Sequence, residues 1–569
     1  VTTLLEQMMA RTGRTKVPQY AKKSFGYRAV VQRSAEYLRI AALPTREWDT
    51  EAYTNELIQV LTSELKTPQG NWTLNKIQAA SINDIILYGG ALLPVGVGQG
   101  KALISLLTPV VLNAARPVLF VPASLREQTN EIVLPQMRKL WQLHPGLKVI
   151  GYSELSLEKN AEMLWQLRPD LIVLDECDEI KNKSAGRTKR LTRYFRDYPN
   201  TKCVAMSGTI SNRSLKDYAH IAHWCLKHNS PLPLSWQELT IWSDAIDEKV
   251  PDERRVAPGV LENFCIEGEN VRQGFRRRLT STPGVIASAA DDLGTALRIF
   301  KYDLDVPGIV WDQIENMRST WETPNGETFS EAIDLWRHIR ELSLGFFYRW
   351  DPSAPSDWLD ARREWKSYVR ETLKTNRRNL DTELQVWNEC ARTATVLKAW
   401  QDWRDIKDTF KPNPVAEWIS DFALKVARIW LLERRWKSRG AGICWVEHVE
   451  FGRKLAEVSG LPYFGAGDSS ILTTTEPAII ASVSAHGKGK NLQRYNRSLI
   501  TMPSASGKTW EQVLGRLHRQ GQKSDAVIYD VFLHVDELQS ALVQARADAI
   551  YLEDTLGNRQ KLNYADIVL

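Results

Sequence analysis

The chain predicts an α/β protein: two parallel-sheet halves, split by a large α-helical insertion and preceded by an N-terminal accessory region. Short apolar strands alternate with helical stretches over residues 71–234, and strands return after about residue 440. Between them, residues from about 235 to 411 are rich in helix formers and tryptophan. Such alternation implies sheets covered by helices, with ligands at the strands' C-terminal ends.

At 569 residues the chain is too long for one core, so several domains are expected: 1–70, 71–234, 235–411 and 412–569. An apolar fraction of 43% and a charged fraction of 25% are those of a soluble globular protein. No apolar run is long enough to predict a membrane span, and the mixed N-terminus does not read as a signal peptide. Six scattered cysteines favour reduced thiols in a cytoplasmic setting over a disulfide framework. A net charge of +6 is too mild to argue for nucleic acid by itself. Basic clusters at Arg187 to Arg196, Arg276 to Arg278 and Arg362 to Arg378 are equally well explained as solvated helix faces.

Residues 1–70 begin with a basic stretch (Arg11, Arg14, Lys16, Lys22, Lys23, Arg28) followed by a helical pattern, and carry no motif. In the first half, strands are expected at Gly90 to Leu93, Val118 to Val121, Val149 to Tyr152, Leu171 to Leu174 and Cys203 to Met206. The first runs into Gly96, Gly98, Gln99, Gly100, Lys101 and Ala102, then an apolar helix. Glycines let backbone N–H groups converge on phosphate oxygens, the helix N-terminus adds its dipole, and the lysine neutralises charge. Ala102 stands where such a loop places a magnesium-binding hydroxyl. The fourth strand ends in Asp175-Glu176. Asp175 is expected to hold Mg2+ through its water shell, and Glu176 to polarise an attacking water. Ser207-Gly208-Thr209 ends the fifth strand, and Gln78, before the first, is placed to reach an adenine edge.

In the second half, strands are expected at Gly442 to Val446, Ala478 to Val483, Ser498 to Met502 and Ala526 to Phe532. The loop from Ser484 to Leu492, with Lys488, Lys490 and Asn491, suits close approach to a phosphodiester backbone or nucleotide. A helix follows with Arg516 and Arg519, a cationic prong suited to a nucleotide's γ-phosphate. Ser506-Gly507-Lys508-Thr509 mimics the end of a phosphate loop without its glycine-rich turn, and is read as a helix cap. His220, His223, Cys225 and His228 fan around more than one helix face, so packing is preferred to zinc. In the insertion, helical spacings such as Trp400/Trp403 favour core packing, with base stacking as the minority reading. Proline-rich breaks at residues 351–355 and 411–414 divide it.

In order along the chain, these segments resemble helicase superfamily two, most closely its Swi/Snf-type translocase branch and related phage helicases. Gly98 to Lys101 looks like motif I, Val121 to Leu125 like motif Ia, and Tyr152 to Glu154 like motif Ib. Asp175 to Asn182 resembles motif II, Ser207 to Thr209 motif III, Ala485 to Leu492 motif V and Gln512 to Gln522 motif VI. Ala102, Cys177-Asp178 and His486 depart from the pattern. The resemblance implies two RecA-like lobes with ATP and Mg2+ between them, Gln512 on the nucleotide, and Ser124, Tyr152, Lys488 and Asn491 on nucleic acid. The implied partner is duplex DNA contacted through phosphates, and the implied activity is ATP-driven translocation or strand separation in a cytoplasm, that of a bacterial host for a phage protein. Two alternatives stand: a nucleotide-gated DNA-binding protein with feeble hydrolysis, motivated by Ala102, and a viral packaging ATPase. The latter would carry a nuclease where this chain has motifs V and VI.

Overall fold

The computed structural model describes residues 27–47, 50–210, 214–247, 250–287, 295–325, 332–375, 380, 383–393, 397–435, 441–519 and 521–568. The basic stretch from Arg11 to Lys23, residues Asn376 to Arg378 and Gln520 lie outside the described residues. The protein is α/β, with parallel sheets of five and seven strands.

The first sheet contains β1 (Ala91–Leu93), β2 (Pro117–Val121), β3 (Lys148–Gly151), β4 (Leu171–Asp175) and β5 (Lys202–Met206), in the order β1-β5-β4-β2-β3. Its strands are apolar except at their ends, at Lys148, Lys202 and Asp175, because both faces are covered. Alternate residues supply two separate cores: Phe120, Ile172, Leu174 and Ala205 on one face, and Leu119, Val121, Val173 and Met206 on the other. The N-terminal region packs onto this unit rather than standing apart. Helix Glu51–Leu65 lies against helix Lys76–Tyr88, and Leu57 and Leu65 share a core with Ile82 and Trp141.

The remaining strands are β6 (Ala296–Tyr302), β7 (Phe346–Trp350), β8 (Pro414–Trp418), β9 (Gly442–Val446), β10 (Tyr463–Phe464), β11 (Ala478–Ser482), β12 (Arg497–Ile500), β13 (Ala526–Phe532) and β14 (Asp566–Val568). The second sheet runs β10-β11-β9-β12-β13-β6-β14, all parallel. The expected helical insertion over 235–411 is therefore corrected. β6 belongs to the second sheet, pairing with β13 over its whole length, and helix Val271–Ser281 packs into the first unit's core through Phe275 and Leu279. What projects from the second unit is narrower: β7 and β8 pair antiparallel as a stem, and the chain between them carries helices Ser356–Thr375, Glu383–Thr393 and Lys398–Ile406. The two proline-rich breaks sit where the stem meets those helices. Trp358 and Trp365 are buried there, against Trp403 and Trp387 at ring distances of 5.2 and 5.4 Å.

The C-terminal segment is not a tail. Helix Asp536–Leu556 gives Leu538, Leu542 and Ala549 to the second core and Leu552 and Leu556 to the first. Past it, Asn558 donates to the Gly208 carbonyl at 2.7 Å. Among the described residues, no helix is long and apolar enough to cross a membrane.

Candidate active site

The glycine-rich turn after β1 is built on two residues with positive φ, Gly98 at +94° and Gly100 at +80°. L-residues with a Cβ resist that region. A Cβ on Gly100 would also lie 2.2 Å from Gln78 Nε2, so the position is closed twice over. Helix Lys101–Val111 starts there with no side-chain cap. Its first amides are thus left for an anion. Lys101, 8% exposed, donates to the Val95 and Gly96 carbonyls at 3.1 and 3.5 Å and faces Glu176 Oε1 at 3.4 Å. Ala102 is exposed toward the cleft, and Ser105 beneath it spends its hydroxyl on the Ala102 carbonyl at 2.8 Å.

Gln78 is tied to the loop through its side-chain amide. Its Oε1 accepts from the Asn75 amide at 2.9 Å in a capping box, and its Nε2 donates to the Gly100 carbonyl at 3.3 Å. Asn75 Nδ2 reaches the Gln99 carbonyl at 3.4 Å. Gln78 therefore braces the loop while it also lines the cleft, and its amide keeps one further donor and acceptor position.

At the end of β4, Glu176 sits in the left-handed region at φ +51° and ψ 52°. Such a conformation costs a side-chain-bearing residue roughly 1–3 kcal/mol and is typical of sites under functional constraint. An extended chain would send successive carboxylates to opposite faces. With the turn at Glu176, both Asp175 and Glu176 line the cleft. Burial, then the neighbouring Glu176 charge, raises the Asp175 carboxyl to about 7 against the pull of Lys101. Burial also pushes Glu176 upward, but Lys101, Lys508, Lys488 and the Ser207 hydroxyl outweigh it and hold this carboxyl below its ordinary range. Ser207 Oγ lies 3.0 Å from Glu176 Oε2 and 2.8 Å from Asp178 Oδ1, joining the ends of β4 and β5.

The second unit closes the cleft. A space of about 870 Å³ is lined by Gln78, Gly98, Gly100, Lys101, Ala102, Asp175 and Glu176 from one side and by Asn491, Arg516 and Arg519 from the other. Residues about four hundred positions apart thus line one space. Gly515 permits the approach: a Cβ there would lie 2.6 Å from Val97 Cγ1 in the glycine-rich turn. Arg516 is held by main-chain carbonyls, Nε on Gln512 at 2.8 Å and Nη1 on Lys490 at 3.0 Å. Burial, and then Arg519, pulls its guanidinium down to about 10. Arg519 is half-buried, and among the described residues its Nε has no hydrogen-bond partner. The Arg519 Cβ lies against the glycine-rich turn, 3.5 Å from where a Cβ on Gly98 would stand, so its cationic side chain borders the cleft with donor capacity to spare.

These residues fit a nucleoside triphosphate: uncapped helix amides and Lys101 on one side, two guanidinium groups opposite. Among the described residues, no group of three or more His, Cys, Asp or Glu could hold a metal ion. Asp175 and Glu176 suit Mg2+, which needs only one or two carboxylates when phosphates and water complete its shell.

The other expected contacts divide. Tyr152 is corrected: the strand ends at Gly151, and the ring is 1% exposed and stacked on Phe120 at 5.8 Å, so it cannot touch a polymer. Ser124 is exposed, at the mouth of a separate space of about 420 Å³ shared with Asp468, Ser484 and Lys490 of the second unit. Lys488 is paired with Glu179 of the first unit at 2.6 Å. Asn491 faces the nucleotide-sized cleft, and Gln512 lines a smaller cavity of about 230 Å³ with Lys488 and Trp510. Gln512 is thus moved off the cleft, because its place on the helix points it back into its own unit. His220 and Cys225 are engaged in packing, with the His220 ring on the Ile180 carbonyl at 2.9 Å and Cys225 Sγ beside Cys203 Sγ at 3.6 Å.

Sequence reasoning missed Lys508. It belongs to no phosphate loop, and Ser506, though at the cap position, makes no capping bond. Instead the Lys508 ammonium crosses from helix Gly507–Leu517 to Asp178 Oδ2, with side-chain exposures of 13% and 0%. Burial pulls it down to about 8, opposed by Glu176. The available signal was helical spacing: Lys508 lies two turns before Arg516 on one stripe. No protein-family model matches this chain, and no curated protein matches it in sequence.

Proposed function

We propose that the protein is an ATP-dependent DNA translocase or helicase in which two RecA-like lobes close on ATP and open after hydrolysis. The observation that carries this reading is the single cleft where Lys101, Asp175 and Glu176 face Arg516 and Arg519. Lys101, which rests on two carbonyls and Glu176, turns to the phosphates when ATP enters. Glu176, held by Ser207, orients the attacking water and accepts its proton. Arg519 and Arg516 neutralise charge building on the transferred phosphoryl group. Mg2+ held through Asp175 would neutralise the phosphate oxygens. Each cycle of closure moves one lobe against the other, and alternating grip on a DNA backbone converts that into travel.

DNA is favoured by the resemblance of the ordered motifs to the Swi/Snf-type branch. The space beside Ser124, formed by both lobes, is a second place where closure could be felt by a polymer. Contacts to phosphates imply binding that weakens steeply with salt and varies little with sequence. A second reading, nucleotide-gated DNA binding with feeble hydrolysis, is favoured by Ala102. The deciding measurement is phosphate release with and without duplex DNA, alongside ATP binding. DNA-stimulated release supports the motor. ATP binding without release supports the gated binder, and absence of both overturns the nucleotide reading. Strand displacement set against triplex displacement then separates helicase from duplex translocase.

A further inference from the structure

The lobes meet through charges that the proposed hydrolysis does not itself use. Asp178 is buried with one oxygen on Ser207 and the other on Lys508 of the opposite lobe. One residue on, Glu179 pairs with Lys488 at 2.6 Å and with Arg187 at 3.3 Å. Ser207 lies within hydrogen-bonding distance of two carboxylates, Glu176 at 3.0 Å and Asp178 at 2.8 Å. A hydroxyl has one proton to donate, so Glu176 and Asp178 compete for it. The winner depends on which carboxylate carries the less compensated negative charge.

We propose that Lys508 is a positioning residue that makes the orientation of Glu176 depend on lobe closure, and this rests on the nucleotide reading above. With the lobes together, Lys508 neutralises Asp178, so the Ser207 proton goes to Glu176 and fixes the carboxylate in the cleft. With the lobes apart, Asp178 regains its full charge and captures the proton. Glu176 is then left with Lys101, a partner that ATP draws away. Hydrolysis is thereby confined to the closed state. No bond is made or broken in the switch: one hydroxyl rotates.

The test is a cycle of variants in the full chain, read as kcat and KM for ATP in DNA-stimulated hydrolysis. Circular dichroism confirms that each variant is folded at the assay temperature. Lys508→Met should lower kcat about tenfold while KM stays within about twofold, the size expected for losing one charge-assisted hydrogen bond. Asp178→Asn, added to Lys508→Met, should restore kcat to within about threefold of wild type, because a neutral side chain no longer outbids Glu176. Ser207→Ala added to that pair should remove the rescue. If Lys508 only glues the lobes together, Asp178→Asn recovers stability at most, and whatever rate returns survives the loss of Ser207. Unchanged kcat in Lys508→Met, failure of Asp178→Asn to rescue, or rescue that persists without Ser207 overturns this inference alone. A wild-type protein that hydrolyses no ATP overturns the nucleotide reading and this inference with it.

Discussion

The two α/β units face the same cleft but are built and equipped differently. The five strands of the first sheet come from one uninterrupted stretch, residues 91–206. The seven of the second come from three: 296–302, 442–532 and 566–568. On the first side the polar groups satisfy one another, as Lys101 meets Glu176 and Glu176 meets Ser207. On the second, Arg516 is tied to its own main chain while Arg519 Nε has no partner among the described residues. One side is an arranged set that a ligand must rearrange. The other holds a half-buried donor with no partner among the described residues.

The sharpest way to break that comparison is to remove the half-buried donor. Arg519→Ala should lower DNA-stimulated turnover by ~10³–10⁵, the effect attributed to arginine fingers. ATP affinity should change far less, and single-turnover hydrolysis beside nucleotide binding measures both. Loss of binding in proportion to turnover would make Arg519 a binding residue. On the arranged side, Glu176→Gln keeps the size and the Ser207 contact but cannot take a proton, so a loss of ~10²–10⁴ is expected with ATP binding intact. Turnover within a few-fold of wild type would remove Glu176 from the role of base.

Ala102 probes what the first side lacks. Adding a hydroxyl ligand should be worth roughly 1.5–3 kcal/mol, or ten- to a hundredfold in the magnesium midpoint. Ala102→Thr should lower that midpoint in a titration of DNA-stimulated hydrolysis at fixed ATP. Ser105 is no substitute while it donates to the Ala102 carbonyl. Identical midpoints would mean that another group compensates.

The smallest effect concerns stability. Four histidines of the second unit, His448, His486, His518 and His534, have pKa values lowered chiefly by burial, against His220 and His223 in the first. For His534 the folded value is about 4 against 6.5. Between those two values the unfolded chain holds the proton and the folded chain does not. Stability is therefore complete above pH 6.5 and declines as pH falls toward 4. His534→Gln keeps a donor for the Ser343 carbonyl, 2.8 Å from the ring. It should flatten the decline by up to about 1.4 kcal/mol per pH unit in urea unfolding at stepped pH. Parallel slopes for variant and wild type would show that His534 titrates normally.

The same contrast explains what could be read in advance. Buried parallel strands announce themselves as apolar runs, so β1, β4, β9 and β13 were legible, and with them Lys101, Asp175 and Glu176 just past the strand ends. β6 breaks its apolar run with Arg298 and Lys301, and its partner β13 arrives more than two hundred positions later. Nothing local marks it as part of a sheet. Tyr152 and Gln512 sit at the expected motif positions, but whether such a side chain faces a ligand or its own core is decided by packing. Lys508 fits no loop geometry, and its partner Asp178 belongs to the other unit, more than three hundred positions away.

Leu552 and Leu556 lie in the core of the first unit, although the rest of that core is complete by about residue 285. During synthesis the first unit thus emerges with a gap in its packing that only a much later part of the chain can fill. At about 5–20 residues per second the ribosome leaves it open for on the order of ten seconds to a minute. For that interval the nascent protein displays apolar surface that the finished one hides. The closing helix reaches both units at once, so the newborn chain joins its two units and completes the first core in a single late event.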